Sequence, residues 1–183
     1  MKRAMLVLLL FAAATAAFGQ QLPRKAPPLG IQTGPDKYLW LSEYSGKTCV
    51  VAFILTGCSH CQFTTGILNK IQKDYAPRGA QVIESAIEPM SSLNIPAFRT
   101  KFAPAFPVGY NEQSYVMKFL GRGPDDPMFM PQIVVVDAKG MIRAQFAGDD
   151  AALANDVQEK NLREAIEGAI KQGQAAARPS APK

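Results

Sequence analysis

The sequence predicts an α/β fold in which a mixed central sheet is covered by helices on both faces. Residues 49–55 form a continuous apolar run of strand length, which is typical of a strand buried on both faces of a sheet. A helical pattern separates this run from a second core strand at 81–87. Apolar segments on either side of a turn at 138–140 then predict an antiparallel hairpin. Alternating strands and helices followed by a hairpin indicate both parallel and antiparallel pairing in one sheet.

The first thirty residues predict an export signal and a connecting segment. Lys2 and Arg3 precede an apolar run at 4–18, and small residues follow, which is the order of a secretory signal at 1–19. The run is shorter than the ~20 residues that a spanning helix prefers, so we expect cleavage, with a retained membrane anchor as the alternative. The mature protein is then expected in the bacterial periplasm or on the extracytoplasmic face. Residues 20–29 are polar and Pro-rich and predict an extended lead-in to one domain at 30–171.

The remaining elements of that domain follow from the same patterns. In chain order they are a strand at 38–41, a helix that starts in the cysteine motif and ends at Pro77 and Gly79, a helix near 97–102 capped by Ser91 or Ser92, an extended piece at 107–110, a helix at 111–120, strands at 132–137 and 141–147, and a last helix marked by Leu162, Ile166, Ala169 and Ile170. Residues 172–183 are rich in Ala, Gln, Pro and Lys and predict a disordered tail.

Charge and cysteine content exclude several classes of protein. The formal net charge of the 183-residue chain is +5, but its basic residues are scattered and form no stripe of the kind that nucleic-acid binding needs. Three cysteines are too few for a disulfide-stapled scaffold. Two of them lie in Cys58–Ser59–His60–Cys61, and the third, Cys49, is expected to be a small buried hydrophobe at a strand start. In an exported chain this pattern indicates redox chemistry.

The cysteine motif predicts thiol–disulfide exchange with other proteins. A thiol exchanges only as thiolate, and Cys58 would lie at a helix start, where free N–H groups and the helix dipole favour negative charge. Cys61 follows one turn later, close enough for a disulfide with Cys58. We therefore expect Cys58 to be exposed and to attack, and Cys61 to be more buried and to resolve the mixed disulfide. His60, when protonated, would stabilise the thiolate further.

Metal and haem sites are the other uses of two cysteines at this spacing. The chain has no second cysteine pair, and its single histidine is His60, so a four-ligand zinc site cannot be assembled in the usual way. Covalent haem attachment needs a histidine directly after the second cysteine, where this chain has Gln62. We therefore expect neither a metal nor another cofactor.

From about residue 30 to residue 148 the chain resembles the redoxin branch of the thioredoxin superfamily, especially TlpA-like exported thiol-disulfide oxidoreductases. The resemblance is carried by 41–47, by 50–61 with the cysteine motif, and by Met130–Pro131 followed by an apolar strand and Asp137. It implies a thioredoxin-like fold and a cis bond between Met130 and Pro131. It also implies that Pro131 faces the cysteine pair and that the Met130 backbone is offered to a bound partner.

Four positions depart from the pattern of the family. Tryptophan commonly precedes the first cysteine, thioredoxin has a buried acid six residues before it, and many TlpA-like members have glutamate three residues after the second cysteine and proline two residues later. Here these positions hold Gly57, Ala52, Thr64 and Gly66. Both carboxylates that the family uses for proton transfer are therefore missing. A water molecule, His60 or Glu84 remain as candidates for that task.

Direction of electron flow and two competing functions stay open at this point. His60 resembles the motif of oxidising periplasmic disulfide donors, whereas the rest of the chain resembles a branch that is often reductive. A peroxiredoxin-like thiol peroxidase is the alternative function, but it usually needs Thr and Pro where this chain has Leu55 and Val51. A copper-delivery module of similar fold needs a distant histidine, and none follows His60. Expected partners are protein thiols and disulfides and an unidentified recycling partner, with a membrane contact only if residues 1–19 are retained.

Overall fold

Within residues 21–175, which a computed structural model describes, eight strands form one sheet. The sheet is mixed, as the sequence predicts, although the sequence did not predict all eight strands. The predictions for residues 1–19 and 176–183 lie outside the described residues. The strands are β1 (Arg24–Lys25), β2 (Gly30–Gly34), β3 (Lys37–Trp40), β4 (Thr48–Ile54), β5 (Ala80–Ala86), β6 (Val108–Tyr110), β7 (Gln132–Val136) and β8 (Met141–Phe146). Their order across the sheet is β1-β8-β7-β4-β5-β6-β2-β3.

Four α-helices cover the sheet on both faces. They are α1 (Ser59–Tyr75), α2 (Ser91–Phe102), α3 (Gln113–Leu120) and α4 (Gln158–Ala175). Helices α1, α2 and α4 contribute to one apolar cluster, and α3 contributes to the other, together with the lead-in and the 3₁₀ helix Leu41–Tyr44. This is the α/β architecture predicted from the alternation of apolar patterns.

Strand β4 is the centre of the sheet, and its sequence explains why. All seven of its residues are buried, and β5 pairs with it in parallel while β7 pairs with it antiparallel. Its β-branched and aromatic side chains suit a strand with both faces covered. Ala52 pairs with Glu84 of β5, and Phe53 pairs with Gln132 of β7. Residues of three neighbouring strands therefore lie side by side at the end of β4 that leads to Cys58.

The structure departs from the sequence predictions at three elements. Strand β2 was not predicted, because it is short, has glycine at both ends and depends on pairing with β3 and β6. Helix α2 begins at Ser91, earlier than predicted, and contains Pro96. Its N-cap is Met90 in a left-handed conformation, with no side-chain hydrogen bond, so the prediction of a cap by Ser91 or Ser92 is wrong. Helix α4 continues through Ala175, beyond the predicted boundary at 171.

The lead-in is part of the sheet, since β1 pairs antiparallel with β8 and Leu29 is 1% exposed.

No helix within residues 21–175 has the length and apolar character needed to cross a membrane.

Candidate active site

The cysteine motif lies where β4 passes into α1. After β4 ends at Ile54, the Cys58 N–H donates to the Leu55 carbonyl oxygen at 3.1 Å and closes a turn. Cys58 is the N-cap of α1 in an extended conformation, and its Sγ accepts the Cys61 N–H at 3.3 Å. The sulfur thus occupies the place of a capping oxygen at the positive end of the helix, where negative charge is stabilised.

Access to solvent differs between the two sulfurs of the motif. Cys58 is partly exposed, whereas Cys61 is 0% exposed, and both are free thiols. Burial raises the pKa of the Cys61 thiol far above its usual range, and hydrogen bonding to Cys58 and the nearby Glu84 act in the same direction. Cys61 therefore stays protonated unless a neighbouring group takes its proton.

Polar contacts hold the turn before Cys58 in place. The Gln62 side-chain amide donates to the Thr56 carbonyl oxygen at 2.8 Å. Both the backbone N–H and the hydroxyl of Thr56 donate to Oε1 of Glu88, the N–H at 3.1 Å. The turn is thereby fixed from α1 and from the segment that follows β5.

A groove of about 780 Å³ opens beside Cys58, between this turn and α2. Its lining is mostly apolar and includes Leu93, Ala97 and Phe102, with Lys101 as its basic group. Leu93 is 72% exposed, so it is available to a bound partner. A larger cavity of about 980 Å³ lies beyond Glu88, towards β3 and the start of α3.

A cluster of four fully buried polar side chains lies on the α1 side of the sheet; it consists of Thr64, Thr65, Glu84 and Gln158, each 0% exposed. The Thr65 hydroxyl lies 2.8 Å from Glu84 Oε1 and 3.0 Å from the Cys61 carbonyl oxygen. A hydroxyl has one proton and cannot donate to both oxygens. Both contacts are hydrogen bonds if Glu84 is protonated, so that its carboxyl group donates to Thr65 and Thr65 donates to Cys61.

The burial of Glu84 agrees with this protonation state. Loss of hydration raises the pKa of Glu84 to about 8. A hydrogen bond donated by Thr65 would favour the ionised carboxylate and acts in the opposite direction, but its effect on the pKa is the smaller of the two. Glu84 Oε2 is buried and has no hydrogen-bond partner among the residues that the structure describes. Glu84 is therefore largely neutral near pH 7 and can gain or lose a proton close to that pH.

Glu84 lies next to position 52, where thioredoxin has a buried acid and this chain has alanine. Its neighbour across the β4–β5 ladder is Ala52, the position at which thioredoxin carries its acid. Compared with thioredoxin, the buried carboxyl group is therefore on the neighbouring strand, β5, and on the same face of the sheet.

Gln158, at the start of α4, is a member of the cluster that sequence reasoning missed. Its amide donates to the Thr64 hydroxyl at 2.8 Å, and Thr64 donates to the His60 carbonyl oxygen at 2.9 Å. Gln158 Oε1 is buried and also lacks a partner within the described part of the chain. A lone glutamine nearly 100 residues after the motif gives no signal in the sequence.

His60 points towards the segment before α4. Its Nε2 lies 3.0 Å from the carbonyl oxygen of Leu153, in the 3₁₀ helix Ala151–Leu153. Because a carbonyl oxygen only accepts, Nε2 carries a proton. No hydrogen bond joins the imidazole to the Cys58 sulfur in the described structure, so any effect of His60 on the thiolate acts through space and stays a prediction.

The Met130–Pro131 segment lies beside the end of β4. Its peptide bond is cis, as the resemblance implies. Because Gln132 pairs with Phe53, Pro131 lies opposite the last residue of β4, next to the turn that leads to Cys58. Met130 and Cys58 pack against the same apolar cluster.

Gly148 supports this segment, and sequence reasoning did not single it out. Its N–H donates to the Phe129 carbonyl oxygen at 2.9 Å. A Cβ at position 148 would lie 2.2 Å from the Met130 carbonyl oxygen, so only glycine fits against this backbone.

Cys49 lies apart from the other two cysteines. It is in the first part of β4, 2% exposed, and its Sγ is 4.0 Å from the Lys47 carbonyl oxygen. Among residues 21–175 no three His, Cys, Asp or Glu side chains are grouped so that they could hold a metal ion.

Comparison with known proteins finds relatives and solved structures that are named as thiol-disulfide proteins or thioredoxins. The chain is 25% identical over 157 residues to the thiol-disulfide oxidoreductase ResA of Geobacillus thermodenitrificans, which covers 81% of this chain and 86% of that protein. A putative thiol:disulfide interchange protein DsbE from Chlorobium tepidum superposes with a TM-score of 0.67 at 20% identity, over 81% of this chain and 96% of that one. A putative thioredoxin from Neisseria meningitidis superposes with a TM-score of 0.62 at 21% identity, over 82% and 92% of the two chains.

These structural likenesses confirm the thioredoxin-like fold. The model of the AhpC/TSA family matches residues 22–145, which run from the lead-in through most of β8 and include the cysteine motif. Since that match spans more than half of the 183 residues, the chain belongs to the AhpC/TSA family.

Proposed function

We propose that this protein is a thiol-disulfide oxidoreductase that exchanges electrons with other proteins through Cys58 and Cys61. The observation that carries the proposal is the pairing of a partly exposed Cys58, capping α1, with a buried Cys61 whose N–H it accepts at 3.3 Å. One sulfur can reach a substrate, and the other can reach only the first sulfur.

The reduction of a substrate disulfide then proceeds in two exchanges. The Cys58 thiolate attacks one substrate sulfur, the substrate S–S bond breaks, and one substrate thiolate leaves. Cys61 then loses its proton and attacks Cys58, which breaks the mixed disulfide and releases the second substrate thiolate. Two electrons have passed to the substrate, its two thiolates take up protons, and Cys58 and Cys61 remain as a disulfide. Oxidation of a substrate dithiol is the reverse sequence.

We propose that Glu84 accepts the proton that Cys61 must lose before it attacks. Burial keeps the Cys61 thiol protonated, and bulk water does not reach it, so a neighbouring group has to accept the proton. Glu84 is buried on the same side of the sheet, interacts electrostatically with Cys61 and has a pKa of about 8. Thr65 joins the Glu84 carboxyl group to the first turn of α1. Glu84 thus takes the part of the two carboxylates that are missing at positions 52 and 64.

Partner binding is assigned to Met130, Pro131 and the groove beside Cys58. No backbone hydrogen bond from the Met130 N–H occurs within the described structure, so this group can pair with an extended substrate segment. The apolar groove towards α2 can take a side chain that flanks the substrate sulfur. His60 is assigned a weaker role, the stabilisation of the Cys58 thiolate when the imidazole is protonated.

We also propose that the protein acts outside the cytoplasm, at the periplasm or the extracytoplasmic face. The support is the order of basic, apolar and small residues at 1–19. Its partners are then exported proteins with thiols or disulfides, together with a protein that recycles the Cys58–Cys61 pair. Thiol peroxidase activity is less well supported, because Leu55 and Val51 stand where that chemistry uses Thr and Pro.

Trapping of mixed disulfides tests the proposal. Cys61→Ser incubated with insulin should accumulate a covalent adduct through Cys58, because the second exchange is blocked. Cys58→Ser should accumulate almost none, and the double variant serves as the control for adducts through Cys49. Equal trapping by the two single variants would overturn the assignment of the attacking sulfur, and consumption of peroxide in place of disulfides would favour the peroxidase.

A further inference from the structure

A third cavity lies at the opposite end of β4 from Cys58. It has a volume of about 700 Å³, within the roughly 300–1,000 Å³ of small-molecule sites. Three chain segments surround it: the lead-in, the 3₁₀ helix Leu41–Tyr44, and the β7–β8 turn. Three backbone hydrogen bonds tie these segments together, from Ala26 N–H to Gly140 O at 2.8 Å, from Leu41 N–H to Leu29 O at 2.9 Å, and from Gly46 N–H to Ala138 O at 3.1 Å.

The interior of this cavity is apolar. Its floor contains Leu29, Cys49 and Val136, which are 1%, 2% and 2% exposed, and Cys49 pairs with Val136 in the β4–β7 ladder. Trp40 and Leu41 form part of the wall. An aliphatic or aromatic group placed here would remove apolar surface from water on both sides.

Its rim is positively charged. Lys25, Lys47 and Lys139 line the cavity, and none of them forms an ion pair within residues 21–175. The one acid in the lining, Asp137, is bound at 2.7 Å by Arg143 and accepts the N–H groups of Lys139 and Met141. The nearby Glu43 accepts the Trp40 N–H at 2.7 Å. Within residues 21–175 no carboxylate lies within ion-pair distance of the three ammonium groups.

We propose that this cavity binds a small amphipathic anion, an aliphatic carboxylate whose chain lies against the apolar floor while its carboxylate meets the three lysines. Charge complementarity carries the choice, because an apolar lining alone would accept a neutral or a cationic molecule equally well. The proposal goes beyond the redox function and does not depend on it. Seven strand residues, about 20 Å, separate the two ends of β4.

The single tryptophan of the chain makes the proposal testable without any redox assay. Trp40 is 45% exposed and lines both this cavity and the cavity of about 980 Å³ described above, so its fluorescence responds to a ligand in either. The lysine variants below identify which of the two is filled. Dodecanoate, titrated below the concentration at which it forms micelles, should change the emission saturably and reduce quenching by iodide. Dodecanol and dodecyltrimethylammonium should produce weaker binding or none.

Charge variants complete the experiment. Combined Lys25→Gln, Lys47→Gln and Lys139→Gln should weaken dodecanoate binding roughly tenfold, because each exposed lysine contributes modestly. A matched triple variant of exposed lysines elsewhere, Lys73→Gln, Lys118→Gln and Lys171→Gln, should bind as the wild type does. Equal affinity for dodecanoate and dodecanol, or unchanged affinity in the first triple variant, would overturn the proposal. Binding to phosphatidylglycerol vesicles without binding to monomeric dodecanoate would also overturn it, in favour of a lipid surface.

Discussion

Cys61 and Cys49 are both buried in the same domain, but the groups that surround their sulfurs differ. Cys61 is 0% exposed and Cys49 is 2% exposed. Burial raises the pKa of both thiols, that of Cys49 to about 12. Cys61, however, donates its N–H to a second sulfur and lies near a carboxyl group, whereas Cys49 has a carbonyl oxygen and a lysine as its polar neighbours.

This difference shows that burial keeps a thiol protonated and therefore unreactive. The neighbouring groups determine whether the thiol can lose its proton and react. A buried thiol needs a group that accepts its proton and a sulfur that it can attack. The region around Cys61 provides both, and the region around Cys49 provides neither. The predictions below test this comparison in order of the expected effect.

The largest effect should be on stability as a function of pH, through Glu84. The folded protein holds a proton on Glu84 up to a pKa of about 8, whereas the unfolded chain releases it near 4.5. The unfolded state therefore binds fewer protons between these values, and the free energy of unfolding falls as pH rises through this window. At 1.36 kcal/mol per pKa unit the total loss is on the order of 5 kcal/mol.

Glu84→Gln should remove this loss, because a glutamine amide can donate to Thr65 as the protonated acid does. Urea denaturation of the reduced proteins at pH 5, 7 and 8.5 measures it, and the difference between the two proteins cancels the titration of the cysteines. Parallel pH profiles for wild type and variant would show that Glu84 is ionised in the folded state.

The second effect concerns the rate at which Cys61 attacks. Reaction with dithiobis(nitrobenzoate) releases one coloured thiolate when Cys58 attacks and a second when Cys61 resolves the adduct. Glu84→Gln should slow the second release roughly 100-fold, the usual contribution of a positioned base. In the wild type that phase should accelerate as pH rises through about 8, because Glu84 must be deprotonated to accept the proton.

Glu112→Gln is the matched control for this rate, since Glu112 precedes α3 and its side chain makes no capping hydrogen bond there. It should leave the second phase unchanged. An undiminished second phase in Glu84→Gln would remove Glu84 from the mechanism while leaving the roles of Cys58 and Cys61 intact.

A smaller effect is expected at Cys49. Cys49→Ala removes a buried sulfur from the sheet and should lower the free energy of unfolding by about 1 kcal/mol. Both phases of thiolate release should keep their wild-type rates, because Cys49 lies about 20 Å along β4 from the active site. Slower exchange in this variant, after correction for the folded fraction, would contradict the contrast between the two buried thiols.

A small effect, comparable in size to that at Cys49, is expected at His60. His60→Ala should lower the reduction potential of the Cys58–Cys61 pair by no more than roughly 30 mV, which corresponds to about 1.4 kcal/mol. His60→Gln can keep a hydrogen bond to the Leu153 carbonyl oxygen and separates that contact from the charge. Equilibration with glutathione buffers measures both variants, and a potential equal to that of the wild type in both would show that the imidazole does not stabilise the thiolate.

The sequence was sufficient for the parts of the site that depend on local structure. A buried strand followed by a helix that starts in the motif places Cys58 at the helix start, and both elements can be read from neighbouring residues. The Met130–Pro131 segment was found through a resemblance to a known family. In each case the signal lies within about ten residues of the feature.

The remaining parts depend on which residues meet across the fold. Glu84 could be named as a candidate, but its position beside Ala52 depends on the register between β4 and β5, which no local pattern specifies. Gln158 and Gly148 act through contacts with residues distant in sequence, Thr64 and Met130. At helix α2 a local signal was misleading. Pro96 favoured a start near residue 97, but the helix begins at Ser91 and contains Pro96 in its second turn.

The hydrogen bond from the Cys61 N–H to the Cys58 sulfur has a consequence for how the protein withstands oxidants. A cysteine exposed to solvent is open to stepwise oxygenation, first to a sulfenic acid and then irreversibly to higher acids. At Cys58 the first product would form one helical turn from a second thiol. Condensation of the two expels water and yields the same disulfide as the normal reaction cycle. Accidental oxidation of Cys58 thus ends in the Cys58–Cys61 disulfide, which thiol–disulfide exchange can reverse, and not in an irreversible acid.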